Sequence, residues 1–315
     1  MRLLRLIPDN TSFQFMRHRK WSFPASALVI VASIAMFFTF GLNLGIDFRG
    51  GTLIEIETKD GPANIGEIRS QLSGLGFGDV QVQEFGAPND VLIRIVQQEG
   101  GEQAQQDVVV KVRETFGETV NYRRVEVVGP RVSGELTTKG ALAVLAALAA
   151  VLCYIWFRFE WQFAVGAILA LVHDVILTIG MFSIVQLEFN LSSIAAILTI
   201  VGYSLNDTVV VYDRIRENLR RYKKKPLSEV LDLSINQTLS RTALTSITTL
   251  LALVALFIFG GPVIQSFTFA MIWGVIVGTY SSIFVAAPIL ITMGMTPGAR
   301  ASDKSDAAEA DKQAS

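Results

Sequence analysis

Asp207 lies in the stretch Gly202-Tyr203-Ser204-Leu205-Asn206-Asp207-Thr208, inside an apolar run that opens near Leu191 and ends in a burst of charge at Asp213. At ~1.5 Å per helical residue it sits about 9 Å inside the edge of that run. A carboxylate there costs several kcal/mol unless it has a partner or faces water. It either takes up and releases a proton or serves as a hydrogen-bonding anchor for a neighbouring helix. Arg241 stands at the head of a later apolar run, in Asn236-Gln237-Thr238-Leu239-Ser240-Arg241-Thr242-Ala243-Leu244-Thr245. Arg241, Thr245 and Thr249 recur every four residues and share a helical face, with Thr238, Thr242 and Thr248 close to it. Hydroxyls beneath an arginine suit a water-filled crevice better than lipid. If the two runs are adjacent antiparallel helices, Arg241 comes within reach of Asp207.

Such a pair has two stable states, an ion pair and a neutral acid beside a cation, and a proton switches between them. A membrane voltage supplies about 2.3 kcal/mol per charge per 100 mV, enough to bias the switch. A static salt bridge, or an Arg241 that only snorkels to the membrane surface, are the rival readings. His173-Asp174 is a second polar pair inside an apolar run, open to two readings: a proton relay or interhelical hydrogen bonding. Asn206, roughly 100° round the helix from Asp207, suits a bond to a neighbouring helix backbone.

These residues need helices to hold them, and the chain supplies six apolar runs. Of the 315 residues 51% are hydrophobic, and each run is long enough to span a bilayer. The spans are read at 23–44, 137–157, 162–185, 191–212, 242–259 and 265–293. The first follows a basic segment, 1–22, but is too long for a signal-peptide core and lacks a cleavage site. Residues 213–241 form a basic loop carrying Arg214, Arg216, Arg220, Arg221 and Lys223 to Lys225, with Ser228 placed to cap a helix start. Residues 297–315 are small and charged and read as a disordered tail.

Between the first two spans, residues 45–136 carry 15 acidic against 9 basic residues and alternate strand and helix periods. Thr52–Thr58 alternates as a half-buried strand does. Asn64–Leu75 has helical spacing, Val80–Phe85 and Val91–Val96 are strands joined by a Gly-Ala-Pro-Asn-Asp turn, Glu102–Phe116 is helical, and Val120–Val128 is the last strand. The order βαββαβ is the split, ferredoxin-like α+β arrangement, with one sheet face under two helices. The fold class is therefore a polytopic α-helical membrane protein with six spans and one α+β domain between the first two.

The amino-terminal segment, the Arg158 turn and the 213–241 loop hold the basic excess, whereas the turns at Gln186 and Gly260 hold no Lys or Arg. The positive-inside rule then puts both termini in the cytoplasm and the α+β domain outside. The single cysteine, Cys153, excludes an intramolecular disulfide, and two histidines, His18 and His173, exclude a histidine-rich metal site. No phosphate-binding loop, zinc-protease motif or serine nucleophile elbow is present, so the chain reads as neither an ATPase nor a hydrolase, and no cofactor is implied.

Two more patterns concern packing and chain direction. Ala270, Gly274, Gly278, Ser282 and Ala286 place small residues at every fourth position of the sixth span, a ridge that lets another helix approach closely. At the exit of the first span, Gly45-Ile46-Asp47-Phe48-Arg49-Gly50-Gly51-Thr52 brings two adjacent glycines that permit left-handed backbone.

Taken together, GIDFRGGT after the first span, VGYSLNDTVVVYDRIREN, NQTLSRTALTSITT and the small-residue sixth span resemble the SecD/SecF family, on its SecF side, over about Phe13 to Ile291. That family is related to the RND transporters. The resemblance implies a non-enzymatic, proton-motive-force-driven subunit of protein export in the bacterial inner membrane. It implies pairing with SecD, assistance to the SecYEG channel, contact with YajC and YidC, with the translocating polypeptide and with lipid, and no nucleic acid. By motif Asp207 matches the family's intramembrane acid and Arg241 its partnering base; a further acid is supplied by SecD. Asn206, His173, Asp174 and Thr245 stand as relay or support residues, Gly274, Gly278 and Ser282 as packing residues, and Asp47, Arg49, Gly50 and Gly51 as the motif at the membrane exit. With one six-span unit, the chain reads as the form separate from SecD. A purely structural subunit and an RND-type small-molecule exporter are the alternatives.

Overall fold

The computed structural model describes residues 11–295, so the readings for residues 1–10 and for the tail at 297–315 lie outside the described residues. Among the described residues six helices are long and apolar enough to cross a membrane: Phe15–Phe40, Pro130–Arg158, Trp161–Val185, Leu191–Arg221, Leu227–Phe259 and Gln265–Thr292. The regular α-helical parts are α1 (Arg19–Phe40), a short α2 (Ile46–Arg49), α3 (Ile65–Ser73) and α4 (Gly101–Phe116) in the sheet domain, then α5 (Pro130–Arg158), α6 (Trp161–Val185), α7 (Leu191–Arg221), α8 (Leu227–Phe259), α9 (Gln265–Ser281) and α10 (Ala287–Thr292). Large stretches of α6, α7 and α9 are buried, packed with Phe163, Phe182, Ile200 and Tyr212. By contrast α1, α5 and α8 leave Phe38, Leu145, Phe157, Leu251 and Phe259 exposed. An apolar outer layer of this kind suits a hydrocarbon solvent.

The sheet domain holds β1 (Gly51–Thr58), β2 (Val80–Phe85), β3 (Ala87–Ile95) and β4 (Val120–Val128) in the order β2-β3-β1-β4, all antiparallel. This is the ferredoxin-like topology expected from the element order. Ile54, Ile56, Ile93 and Ile95 meet Leu72 of α3 and Val112 and Phe116 of α4 in one core. The burial of β1 exceeds the half-buried expectation. Leu53, with Leu92, packs on Ile46 of α2 on the opposite face, and Glu55 is buried there too. Both faces of the central strand are covered because the chain leaving α1 folds back beneath the sheet. The turn read between β2 and β3 is also shorter than expected: Gly86, at φ 94°, makes the reversal alone, and Ala87-Pro88-Asn89-Asp90 belongs to β3.

Residues 213–241 are not a loop. α7 continues to Arg221 and α8 starts at Leu227, leaving only a short link. Both extensions are amphipathic. Ile215, Val230, Leu231 and Ile235 are buried, Asn218 Nδ2 donates to Ser234 Oγ at 2.9 Å, and the basic residues face outward. Pro226, not Ser228, sits at the N-cap of α8.

The sixth span is interrupted. Pro288 has no N–H, and its ring clashes with the carbonyl four residues back, that of Phe284. The helix widens into a π turn over Ser282–Ala286. Side chains from other helices take up the freed carbonyls: Ser22 Oγ of α1 donates to Phe284 O at 3.3 Å, and Tyr212 Oη of α7 donates to Ala286 O at 2.9 Å. Two serines, Ser281 and Ser282, stand at the mouth of this turn.

Candidate functional site

Asp207 is held by hydroxyls, not by a cation. Thr242 Oγ1 of α8 donates to its Oδ1 at 2.7 Å, and Ser282 Oγ donates to its Oδ2 at 2.5 Å. The carboxylate is 8% exposed at the meeting of α7, α8 and the π turn. The face that α8 turns inward is Ser234, Thr238, Thr242 and Ser246, one residue every four, all buried. It lies about 100° round the helix from the face through Arg241, Thr245 and Thr249. Arg241 and Thr245 are therefore exposed, and Thr249 is half-buried. Among the described residues Asp207 and Arg241 form no ion pair. The two are not in direct contact, and the single-residue offset explains it. Thr245 spends its hydroxyl within its own helix, on the carbonyls of Arg241 and Thr242. Asn206 is exposed on α7 and reaches no neighbouring backbone among the described residues.

A second buried carboxylate lies beside the first. Asp174 of α6 accepts from Ser204 Oγ of α7 at 2.5 Å and from Ser281 Oγ of α9 at 2.7 Å, both on Oδ2. Its Oδ1 is 2.8 Å from His173 Nδ1. The imidazole stacks on Tyr280, with ring centroids 6.1 Å apart, and Tyr280 Oη is bonded to Ser26 of α1. The consecutive residues Ser281 and Ser282 thus each serve one acid, Asp174 and Asp207 respectively. Nearer the sheet domain, Tyr203 Oη donates to Ser246 Oγ at 3.2 Å, and Ser246 bonds Thr279 at 2.7 Å.

The small-residue ridge makes this proximity possible. A Cβ on Gly274 would lie 2.2 Å from Ile200 Cγ1, and one on Gly278 would lie 3.1 Å from the Cβ of Ser204. The ridge therefore seats α9 against α7 within this chain. Ser282, read as a packing residue, is also a ligand of Asp207.

The motif at the membrane exit ties the sheet domain to the same helix. Gly50 and Gly51 have φ of 71° and 124°, and a Cβ at Gly51 would sit 2.5 Å from Ile95 O. Glycine is needed there both for the backbone and for the close approach to β3. Asp47 Oδ2 accepts from Leu191 N, the first residue of α7, at 2.9 Å. Arg94 of β3 pairs with Glu188, just before α7, at 2.6 Å, and Gly45 and Asn43 exchange backbone bonds with Phe189. Arg49 is exposed. The helix that carries Ser204 and Asp207 is thus clamped at its first turn to the domain.

Ser204 and Ser281 are site residues that motif reading passes over, as are Arg94 and Glu188 of the clamp, while Thr242 was read only as lying near the Arg241 face. Ser204 stands one helical turn before Asp207, and Ser281-Ser282 precedes a helix-breaking proline; those spacings are the signals that find them.

With this geometry in place, comparison with known proteins is specific. The family model described as "Protein export membrane protein SecD/SecF, C-terminal" matches residues 108–296, and the one described as "SecD/SecF GG Motif" matches residues 35–61. The chain belongs to the SecD/SecF family. It is 46% identical to the protein translocase subunit SecF of Rhodobacter capsulatus, over 96% of this chain and 95% of that one. It is 48% identical to the protein translocase subunit SecDF of Brucella abortus, over 98% of this chain but only 41% of that longer protein. The crystal structure of SecDF from Thermus thermophilus, a translocon-associated membrane protein, superposes with a TM-score of 0.82 at 35% identity, covering 92% of this chain and 40% of that one. The relative matched along nearly its whole length is thus a SecF, and the two SecDF proteins extend well beyond the match.

Proposed function

We propose that this chain is the SecF partner of a SecD subunit, and that the pair uses proton motive force to assist polypeptide export through SecYEG, with Asp207 as a proton carrier. The observation that carries this reading is the donor set of Asp207. Hydroxyls both donate and accept. When the acid is ionised, Thr242 and Ser282 donate to it; when it is protonated, either oxygen can accept while Ser282 turns its own proton to Thr279 O, 3.0 Å away. A shell that serves both protonation states suits a group that cycles between them. A permanent ion pair would instead place a cation against the carboxylate.

Next to this site the exposed faces of α7 and α8 present Asn206, Arg241 and Thr245 inside otherwise apolar helices. Polar residues at that depth need a cover that is not lipid. A SecD helix bundle supplies it, together with the second acid, and Arg241 lies at this junction as the counter-charge of the cycle. The clamp of Asp47, Arg94 and Glu188 carries movement of α7 to the sheet domain. The pair works in the bacterial plasma membrane with both termini of this chain in the cytoplasm. It performs no covalent chemistry and uses the proton as its only coupling ion, with YajC and YidC as further neighbours.

The test is export of a secretory precursor into vesicles bearing an imposed proton gradient. Asp207→Asn keeps size and a hydrogen-bonding end but cannot exchange a proton. The expected result is an assembled complex whose export falls to the level seen without the gradient; export at the wild-type rate overturns the proposal.

A further inference from the structure

We propose that the His173–Asp174 pair is a second proton-binding site of this chain, loaded at His173 Nε2 and linked to Asp207 through the consecutive residues Ser281 and Ser282. The proposal rests on the reading of Asp207 as a proton carrier for its link, but not for the site itself. Asp174 is 1% and His173 3% exposed, so both groups are shut away from solvent. Nδ1 of His173, at 2.8 Å from Asp174 Oδ1, donates its proton there, since an ionised carboxylate only accepts. The opposite nitrogen, Nε2, is then a bare lone pair. It is buried and has no hydrogen-bond partner. A buried polar atom left unpartnered costs about 1–3 kcal/mol, and such atoms are rare enough to need a reason.

A proton arriving at Nε2 forms one N–H bond and breaks none within the protein. The resulting imidazolium lies against the Asp174 carboxylate, so the pair becomes neutral overall, and release restores the lone pair. The groups around the imidazole fit such a load. Asp174 is the charged group beside it, Tyr280 of α9 is the other titratable one, and α7 contributes Ser204, which bonds Asp174. From α1, Ser26 is bonded to Tyr280. The central turns of α1, α5 and α9 hold no acidic or basic residue. Nothing but the proton itself can balance Asp174 from these sides.

Charge at this pair is felt at Asp207 because Ser281 and Ser282 are neighbours in the chain. Loading His173 weakens the demand of Asp174 on Ser281 Oγ, which has the Gly278 carbonyl at 3.1 Å as its alternative. Ser282 sits on the next peptide, at the start of the π turn, where the backbone is already released from regular α-helical bonding. A small shift there moves the donor of Asp207.

The chain holds only two imidazoles, so 15N-histidine NMR of the full chain in lipid nanodiscs reads the site directly. The resonance lost in His173→Asn, whose amide keeps a donor near the Nδ1 position, identifies His173. The expected result is an Nδ1–H tautomer at high pH that gains an Nε2 proton over a range of falling pH, with the midpoint shifted in Asp207→Asn. The second measurement is proton flux through the SecD-paired complex, in which His173→Asn is expected to lose the pH-dependent limb that the wild type shows over that range. A His173 that stays neutral while His18 titrates overturns the proposal. So does a His173 that titrates while flux in His173→Asn is unchanged, or a midpoint indifferent to Asp207→Asn. Wild-type export by Asp207→Asn would instead sink the Asp207 reading, and would leave the titration of His173 to be judged separately.

Discussion

Asp207 and Asp174 lie on neighbouring helices and draw on consecutive serines where α9 gives way to the π turn, yet their surroundings differ. Asp174 is enclosed. Its donors come from α6, α7 and α9, a histidine adjoins it, and the outer helices close over it. Asp207 sits one layer nearer the surface, under Thr242 and Ser282, beside an uncovered face that carries Asn206 and Arg241. The enclosed acid has its nitrogen partner within the chain. The acid near the surface has hydroxyls only and a cation waiting out of contact. The site of Asp174 is completed within this chain, whereas that of Asp207 borders an uncovered polar face.

Substitution at the shared helix contact tests how far the two sites depend on one frame. Gly274→Leu drives a side chain into Ile200 and forces α9 off α7. Overpacking of this kind costs about 1–3 kcal/mol, and it strikes both carboxylates. A clear fall in the thermal unfolding midpoint, with loss of export, is expected; unchanged stability would show that the helices are not seated through this ridge. Smaller and more selective, Thr242→Val removes a donor from Asp207 alone, and Ser204→Ala removes one from Asp174 alone. Each is worth about 1 kcal/mol in stability, but Thr242→Val is expected to shift the pH profile of proton flux more than Ser204→Ala does. Equal shifts would erase the distinction between open and enclosed sites.

The clamp offers a third comparison, between the bundle and the sheet domain. Arg94→Glu sets two acids against each other between β3 and the α6–α7 turn, and Glu188→Arg added to it restores an ion pair in reverse. The partly exposed pair is worth about 1 kcal/mol. Export per proton is expected to fall in the single variant and recover in the double; failure to recover would limit the contact to packing. The mildest effect belongs to the sheet domain. Asn121, Arg123 and Asn89 all hydrogen-bond the Glu57 carboxylate, and Asn121 contributes most to holding its pKa below the usual value. Because the folded pKa lies below the unfolded one, this stabilising contribution is present above the unfolded value and is lost as pH falls through the folded one. Hydrogen exchange at β1 and β4 is expected to quicken only in that acidic range, and at a higher pH in Asn121→Ala.

Much of this arrangement was readable beforehand. Asp207 stood out because a carboxylate in an apolar run is expensive, and the βαββαβ order fixed the sheet once the helices between its strands were recognised. That Asp207 meets Thr242 and not Arg241 was not readable, because periodicity says which residues share a face but not which face turns inward. Thr242 and Arg241 differ by one residue, and only packing against α7 and α9 chooses between them. The break in the sixth span was not read, although Pro288 is its signal. Its outcome depended on Ser22 and Tyr212, which lie far away in sequence and take the freed carbonyls. The extension of α7 was masked by its basic outer face, beneath which Ile215 is buried, whereas α8 begins at Leu227, next to the helix start read at Ser228.

The central claim is that Asp207 moves protons, and dye-loaded proteoliposomes test it most directly. The SecD-paired complex is reconstituted, a pH gradient is imposed, and the rate of internal pH change is followed. Wild-type vesicles are predicted to dissipate the gradient and Asp207→Asn vesicles to hold it as protein-free ones do. Equal dissipation by both would contradict the claim.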